Sequence, residues 1–283
     1  MKVVIIGCGD VGASSAARIA EANLADVVML DIVPGKAEAR ALDLRSAASI
    51  TKQTRQIEGT DNYEQIAGAD IVVVASGQAR TPGQSREDLL QNNGNIIKDV
   101  SAKLSRYCPG AVVIVVTNPL DVMTYLALKT TGFPANRIIG MGGVSDCARF
   151  NMLIAAELKT AASNIQSMIV GAHGDSMVIL PRFSTANGKA LTEVLPENKI
   201  EEIAAQTRHF GARIVKLLGK GSAYFGPSAG VFSLVDSIVN DRNILLSASV
   251  FLSGQYGLQD VCIGVPVKVG RTGITKIVQL ELN

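Results

Sequence analysis

Two arginines, Arg80 and Arg86, stand six residues apart in a segment that also holds glycine and proline. A guanidinium presents a planar set of N–H groups that pairs with a carboxylate through two parallel hydrogen bonds. Two of them on one loop can both recognise a dicarboxylate and close over it. Charged loop residues are often no more than solvated surface, which is the alternative interpretation. The rest of the chain must decide between the two.

The predicted proton-exchanging group is His173. Imidazole is the side chain that exchanges a proton near neutral pH, as an enzyme that oxidises an alcohol by hydride transfer requires. The chain has two histidines. His173 stands between glycines in Gly171-Ala172-His173-Gly174, which leaves its backbone approachable. His209 lies in a helical pattern over residues 203–218 and is predicted to be a surface or packing residue.

Two charged residues suited to assist this histidine are spaced three apart. Asp146 and Arg149 would lie on one face of a helix. The carboxylate can then orient the imidazole while the guanidinium lies beside it. A simple ion pair within the helix is the alternative interpretation of the same spacing.

A dinucleotide-binding turn is predicted at Gly7-Cys8-Gly9-Asp10-Val11-Gly12, between a strand-like run and a helix-like run. Glycines at these positions allow a tight turn, close approach to pyrophosphate and close packing of helix on sheet. Asp31 ends the next apolar run, nineteen residues after Gly12. There a carboxylate can accept hydrogen bonds from the adenine-ribose diol and would repel a 2′-phosphate. NAD is therefore predicted over NADP; the alternative is a surface acid at the end of a strand.

Asn118 is a further candidate, because it follows an apolar run at residues 112–116. Polar residues at the carboxyl ends of parallel strands face the ligand crevice. Asn118 could bond the substrate oxygen or the nicotinamide, although an Asn-Pro pair is also a common turn signal.

Continuous apolar runs without strict alternation predict strands buried on both faces of a parallel sheet. They lie at residues 3–6, 27–30, 71–75, 112–116 and 138–139, and helix-forming segments lie at 13–25, 36–49 and 88–107. Helical spacing returns at 146–158 and 199–218, and residues 261–282 predict paired strands. The predicted fold is α/β: a parallel-sheet, Rossmann-type NAD-binding domain over residues 1–142, then a mixed α+β catalytic domain over residues 143–283.

Composition narrows the class of protein. A chain of 283 residues is long enough to bury a large core. Its hydrophobic fraction of 47% and charged fraction of 18% suggest subunit contacts as well. A net charge of +2 without a basic block predicts neither a nucleic-acid nor a membrane partner. The four cysteines are scattered, so they predict no metal site, and they favour a reducing, cytoplasmic location. No apolar run is typical of a signal peptide or of a membrane span. Cys8 is predicted to be a small neutral filler, with a thiol acidified by the helix N-terminus as the alternative.

These motifs, taken together and in order, resemble the lactate/malate dehydrogenase family, and within it the lactate-dehydrogenase-like malate dehydrogenases of bacterial type. The resemblance runs from Lys2 to about Leu282. It implies a Rossmann domain followed by a catalytic domain, NAD as cofactor, and interconversion of malate and oxaloacetate. It also implies a homodimer or homotetramer.

The resemblance further implies a role for individual residues. The residues that it assigns to the cofactor are Gly7, Gly9, Asp10, Val11, Gly12, Asp31, Asn93 and Asn118. It makes His173 and Asp146 a proton relay. Arg149 would hold the carboxylate next to the reacting carbon, Arg86 would polarise the carbonyl, and Arg80 would hold the distal carboxylate.

The chain departs from this family pattern in three places. A methionine is common in the family where Gln84 stands, and a leucine where Ser145 stands. Relatives also continue into a final helix beyond the position of Asn283, so either that helix is absent or the sequence is incomplete.

Three alternative functions remain distinguishable. A lactate dehydrogenase would share these features except Arg80, where the resemblance implies a glutamine. A non-catalytic dinucleotide sensor would keep the glycines and Asp31 without a reason to keep Asp146, Arg149 and His173 together. An NAD-using glycosidase would require metal ligands such as a cysteine and histidine pair, and the sequence presents none.

Overall fold

The structure, a computed structural model, describes residues 1–78 and 86–282, with the side chain of Arg86 outside that description. The elements of the first part are, in chain order, β1 (Lys2–Ile6), α1 (Asp10–Glu21), β2 (Asp26–Leu30), α2 (Lys36–Ser46), α3 (Ala48–Thr51), β3 (Ile57–Thr60), β4 (Ile71–Val74), α4 (Arg86–Tyr107), β5 (Val112–Val115), α5 (Leu120–Thr131), β6 (Ile138–Gly140) and α6 (Gly143–Leu158). Strands rich in valine and isoleucine thus alternate with helices, as the apolar runs predict.

Short strands and helices follow, and the chain then ends in a long antiparallel unit. In chain order these elements are β7 (Ile165–Gln166), β8 (Ile169–Val170), β9 (Val178–Ile179), β10 (Thr185–Ala186), β11 (Lys189–Ala190), α7 (Leu191–Val194), α8 (Glu197–Arg208), α9 (Phe210–Leu218), α10 (Phe225–Val239), β12 (Ile244–Ser253), β13 (Gln259–Gly270) and β14 (Gly273–Ile277).

Among the described residues, nine strands form one sheet in the order β14-β13-β12-β6-β5-β4-β1-β2-β3. From β6 to β3 all the pairs are parallel. This is the doubly wound order in which the direction of winding reverses between β1 and β4, and ligands bind at that point beyond the carboxyl ends of the strands. The predicted α/β fold with a parallel sheet is confirmed.

The sheet does not stop at the last parallel strand. β12 runs antiparallel to β6, where Ser249 pairs with Gly140, and β13 and β14 continue the antiparallel order. The two small sheets β11-β10-β7 and β8-β9 lie in the second part of the chain. The second part is therefore mixed α and β, as predicted, and it is joined to the first through the main sheet.

Two apolar cores cover the two faces of the main sheet. Residues alternate between them along each parallel strand: Val3 and Ile5 belong to the core shared with α1 and α10, and Val4 and Ile6 to the core shared with α4 and α5. Strands buried on both faces carry continuous apolar runs for this reason. A third core is centred on Phe150 of α6 and joins it to α8.

Some predicted boundaries were wrong. The helical pattern over residues 199–218 is two helices, α8 and α9, which meet at an exposed His209 with φ −92° and ψ 1°. Residues 36–49 likewise divide between α2 and α3. The last strand ends at Ile277, so residues 278–282 are not part of the predicted strand pair. In the described part of the chain, no helix is long and apolar enough to span a bilayer.

Candidate active site

The glycines of the predicted dinucleotide turn have three different surroundings. Gly7 has φ +96°, and a Cβ there would lie 2.6 Å from the backbone nitrogen of Ser76 on the neighbouring strand end. A Cβ on Gly12 would overlap the carbonyl oxygen of Gly7, so this glycine allows α1 to pack close to β1. A Cβ on Gly9 would meet nothing within 4 Å. Because Gly9 immediately precedes α1 and a side chain there would meet no other atoms, a phosphate can approach its backbone.

A cavity of about 540 Å³ lies beyond the carboxyl ends of β1, β2 and β4. Its lining includes Gly7, Gly9, Asp31, Tyr63, Ser76 and Gln78. The lining combines residues of the dinucleotide turn and of the strand ends with residues of α4. The cavity occupies the ligand position of a doubly wound sheet and has room for an elongated ligand.

Asp31 is buried at the end of β2 and accepts hydrogen bonds from three groups. Its Oδ2 accepts from the backbone N–H of Cys8 at 2.8 Å and lies 2.9 Å from Nζ of Lys36, while its Oδ1 accepts from the N–H of Val33 at 3.0 Å. Burial raises the pKa of this carboxyl. The hydrogen bonds from Lys36 and from the two N–H groups together lower it by more, so the pKa lies below its ordinary value. Asp31 is therefore ionised and directed at the cavity.

Three of the residues assigned to the cofactor, Asp10, Gly12 and Asn93, line neither this cavity nor the second cavity described below. Asp10 is in the first turn of α1, and its side chain is exposed and 4.0 Å from Arg40. Asn93 is 1% exposed, and its amide bonds the backbone: Oδ1 accepts from Gln78 N at 2.8 Å, and Nδ2 donates to the carbonyls of Gln78 and Asn118. Asn93 thus ties the chain that leaves β4 to the chain that leaves β5.

A second cavity, of about 300 Å³, holds the groups suited to acid–base chemistry. His173, Arg149 and Asn118 line it, together with Val11 of α1 and several residues of α9 and the segment after it. Gly9 lines the first cavity and Val11 the second, so the N-terminal end of α1 borders both. A ligand that spans the two cavities would pass this end of the helix.

Asp146 connects the histidine with the arginine. Its Oδ2 lies 2.7 Å from Nδ1 of His173, and its Oδ1 accepts from Nη1 of Arg149 at 3.1 Å. The Asp146 side chain is 2% exposed, compared with 19% for His173 and 17% for Arg149. Because the carboxylate faces Nδ1, it fixes the proton there and leaves Nε2 as the nitrogen that can exchange a proton with a ligand.

The first turn of α6 carries Asp146 into this position. Gly142 and Gly143 precede it, and a Cβ on either would meet atoms within 3.0 Å: the Leu120 side chain in one case, Ser247 in the other. Close approach at these glycines lets the helix begin directly behind His173. Ser145, where the family commonly has leucine, is 3% exposed, and its hydroxyl lies 3.5 Å from the sulfur of Met141.

Sequence reasoning missed Asp121, which lies beside the same histidine. Its Oδ2 accepts a hydrogen bond from the backbone N–H of His173 at 2.9 Å, and its Oδ1 is buried without a hydrogen-bond partner among the described residues. A signal was present, because Asp121 is the third residue after Asn118, in the segment that follows a strand end facing the ligand. Lys36 was missed as well; its position five residues after Asp31 carried no comparable signal.

The predicted arginine pair cannot be located in the same way. Arg80 and Gln84 lie outside the described residues, and Arg86 begins α4 with its side chain outside the description.

Cys8 is a small, fully buried residue, and its thiol is not acidified. Burial, and then the Asp31 charge, raise its pKa to about 12. Its side chain is fully buried, so the alternative of an acidic thiol is wrong. Across residues 1–78 and 86–282, no group of three or more histidine, cysteine or acidic residues could hold a metal ion.

The fold and the arrangement of His173, Asp146 and Arg149 define a class of two-domain, NAD-binding dehydrogenases. The chain belongs to the lactate/malate dehydrogenase family: residues 1–140 match the family's NAD-binding domain, and residues 145–283 match its alpha/beta C-terminal domain.

Several relatives that match this chain over its whole length are named malate dehydrogenase. It is 49% identical to a malate dehydrogenase of Trichormus variabilis over 282 residues, which are 100% of this chain and 87% of the relative. It is 44% identical to one from Methanosarcina mazei, covering 100% and 92% of the two chains. The apo malate dehydrogenase structure from Picrophilus torridus superposes with a TM-score of 0.97 at 38% identity, covering 100% and 90%. A Cryptosporidium parvum lactate dehydrogenase superposes with a TM-score of 0.95 at 33% identity, covering 100% and 90%, so the fold does not separate the two activities.

Proposed function

We propose that this protein is an NAD-dependent malate dehydrogenase, which interconverts malate and oxaloacetate. The observation that carries the proposal is the buried Asp146 carboxylate, which bridges Nδ1 of His173 and the guanidinium of Arg149 in one cavity. A proton-exchanging group beside a carboxylate-binding group is what oxidation of a 2-hydroxy acid needs. The relatives named malate dehydrogenase, at 43–49% identity over essentially the whole chain, favour malate as that acid.

The residues present fit NAD. Gly9 leaves its backbone open to a phosphate at the start of α1, Asp31 presents an ionised carboxylate to the first cavity, and Val11 and Asn118 border the second. In this assignment residues 1–142 hold the cofactor and residues 143–283 supply the acid–base residues. Asn93 contributes indirectly, because it fixes the backbone on both sides of the cleft. When bound, the cofactor would accept the hydride as NAD⁺ during malate oxidation and supply it as NADH during oxaloacetate reduction.

The residues of the chain move the proton and hold the substrate. During reduction of oxaloacetate, Nε2 of His173 donates a proton to the carbonyl oxygen; during oxidation of malate it accepts the hydroxyl proton. Asp146 keeps the ring in the tautomer and orientation that this transfer requires. Arg149 binds the carboxylate beside the reacting carbon through N–H groups not used by Asp146. Arg86 and Arg80 are assigned to the carbonyl oxygen and the distal carboxylate on the basis of the sequence resemblance.

The test is an NADH oxidation assay with oxaloacetate, pyruvate and 2-oxoglutarate in parallel. The proposal expects oxaloacetate to have a far larger kcat/KM than the other two keto acids. A preference for pyruvate would instead favour a lactate dehydrogenase, whose solved relatives share this fold. NADH and NADPH are compared in the same assay, and NADH is expected to be preferred because of the Asp31 charge.

We also infer that the protein is a homo-oligomer of the cytoplasm. Helix α9 has no buried residue, and its Val215, Leu217 and Leu218 are 45, 78 and 52% exposed. Apolar side chains grouped on one helix are typical of a surface that a partner covers. The four cysteines are free thiols, which favours a reducing compartment. Light scattering after gel filtration gives the mass: a dimer or tetramer is expected, and a monomer at micromolar concentration would contradict the proposal.

A further inference from the structure

Lys36 lies at the rim of the first cavity and is paired with the carboxylate expected to select NAD. Its Nζ is 2.9 Å from Oδ2 of Asp31, and both residues line the cavity. The Lys36 side chain is 38% exposed and that of Asp31 only 7%. The lysine therefore reaches from the solvent side onto a buried carboxylate.

The pairing means that the negative charge facing the adenine-ribose position is partly offset by a half-exposed ammonium. A 2′-phosphate that approaches this corner meets Asp31 and Lys36 together. The repulsion expected from an isolated carboxylate is reduced, but not removed, by an ammonium at hydrogen-bonding distance. Discrimination against NADP is then set by two residues and not by Asp31 alone.

A second cation stands one helical turn further along α2. Arg40 is four residues after Lys36, hence on the same helix face. Its nearest carboxylate is Asp10, at 4.0 Å, and the two side chains are 48 and 69% exposed, so this pair is weakly held. If the Asp31 charge were removed, Lys36 would remain at the cavity without its partner. In Asp31→Asn, one of the two backbone N–H groups, that of Cys8 or that of Val33, would also lose its acceptor oxygen.

We propose that Lys36 is a second determinant of cofactor choice: beside Asp31 it holds the carboxylate in place, and without the Asp31 charge it becomes the ligand of the 2′-phosphate of NADP. An ammonium and a phosphate form a charge-assisted hydrogen bond, and cations near this position are the usual means of accepting a 2′-phosphate. The inference rests on the proposed function, because it takes the first cavity as the adenosine site.

The test is a double-mutant cycle in which the affinities for NADPH and NADH are measured directly by calorimetric titration, without substrate. Asp31→Asn removes the charge with little change of shape, and Asp31→Ser is a second variant if the first fails to fold. Either is expected to tighten NADPH binding by about ten- to a hundredfold relative to NADH. Adding Lys36→Gln is expected to abolish most of that gain, whereas Lys189→Gln, an exposed lysine in the β10–β11 hairpin, is expected to preserve it.

Two further measurements test the role of the Lys36 charge independently. Lys36→Gln alone should weaken NADPH binding relative to NADH, because it leaves Asp31 unneutralised. In Asp31→Asn, added salt should weaken NADPH binding more steeply than NADH binding, since the extra contact is between charges. The same NADPH affinity in Asp31→Asn with and without Lys36→Gln would overturn the inference. A parent protein that binds NADH and reduces oxaloacetate would keep the proposed function in that case; a parent that does neither would remove both.

Discussion

The carboxylate of Asp121 accepts a hydrogen bond from the backbone N–H of His173, with 2.9 Å between the two atoms. The residues are 52 positions apart, at the start of α5 and in the glycine-flanked segment after β8. Asp146 orients the imidazole ring, and Asp121 fixes the backbone from which the ring extends. The histidine is therefore held at two points by two carboxylates from different helices.

Replacing Asp121 by alanine is expected to lower kcat more than it raises KM. Loss of the bond frees the His173 backbone, and small errors of position are costly for proton transfer. A reduction of about tenfold or more in kcat is expected. Asp121→Asn keeps an acceptor oxygen and places an amide where Oδ1 now has no hydrogen-bond partner among the described residues, so it should restore turnover to within a few-fold.

The control is Glu197→Ala, which removes an exposed acidic residue from the first turn of α8 and so tests the effect of helix-end charge alone. Steady-state kinetics with oxaloacetate and NADH distinguish the outcomes. Equal activity of Asp121→Ala and the parent would show that the His173 backbone needs no such support.

His173→Asn is expected to reduce kcat by about 10²- to 10⁴-fold or more while NADH binding, followed by fluorescence titration, stays nearly unchanged. The imidazole acts on the substrate oxygen, away from the adenosine end. Asp146→Asn should reduce kcat less. It should also raise the KM for oxaloacetate, since the same carboxylate positions Arg149 through its other oxygen. Near-normal turnover by His173→Asn would make His173 a structural residue.

Much of this site was predictable because its residues follow local rules. Buried parallel strands have to be apolar on both faces, so the sheet could be predicted from short runs of valine and isoleucine. Asp146 and Arg149 share a helix, and helical spacing alone brings them together. The contacts that could not be predicted join distant segments: Asp121 with His173, and Ser249 with Gly140.

Other differences between the predicted and the observed structure arise where packing overrides a local sequence pattern. The spacing of apolar residues continues past His209, so it did not reveal that the backbone turns there between α8 and α9. Asn93 could be placed near the cleft from its motif. Its role as a bridge between two strand ends depends on the fold, because its amide groups bond backbone atoms 15 and 25 residues away.

The stability of the protein should fall at alkaline pH because its thiols are buried. The pKa of Cys8 and that of Cys262 are raised to about 12, and that of Cys147 to about 11, in each case first by burial. An unfolded thiol ionises near pH 8.5. Above that pH the unfolded chain binds fewer protons than the folded one, so the free energy of unfolding decreases by up to about 1.4 kcal/mol per pH unit for each thiol.

Urea unfolding of the parent and of Cys8→Ala at pH 7, 9 and 10 measures this effect. The variant lacks one of the thiols and should lose less stability between pH 8.5 and 10 than the parent. In the folded parent, iodoacetamide at pH 8 should leave Cys8 unmodified with or without NAD. Rapid NAD-sensitive labelling, or an unchanged pH slope in the variant, would contradict the raised pKa.

The substrate assignment is tested by replacing two arginines, for which different changes in substrate preference are expected. Arg149→Gln removes the group that would hold the carboxylate common to oxaloacetate and pyruvate, so kcat/KM should fall for both by a similar factor.

Arg80→Gln removes the group assigned to the distal carboxylate, which pyruvate lacks. A site built around a specific polar partner can reject an analogue without it by about 10⁴-fold. Arg80→Gln should therefore lower activity on oxaloacetate steeply and raise activity on pyruvate, while Arg45→Gln, an exposed arginine of α2, serves as the control. A ratio of the two kcat/KM values that stays within a few-fold of the parent ratio in Arg80→Gln would remove Arg80 as the basis for malate specificity.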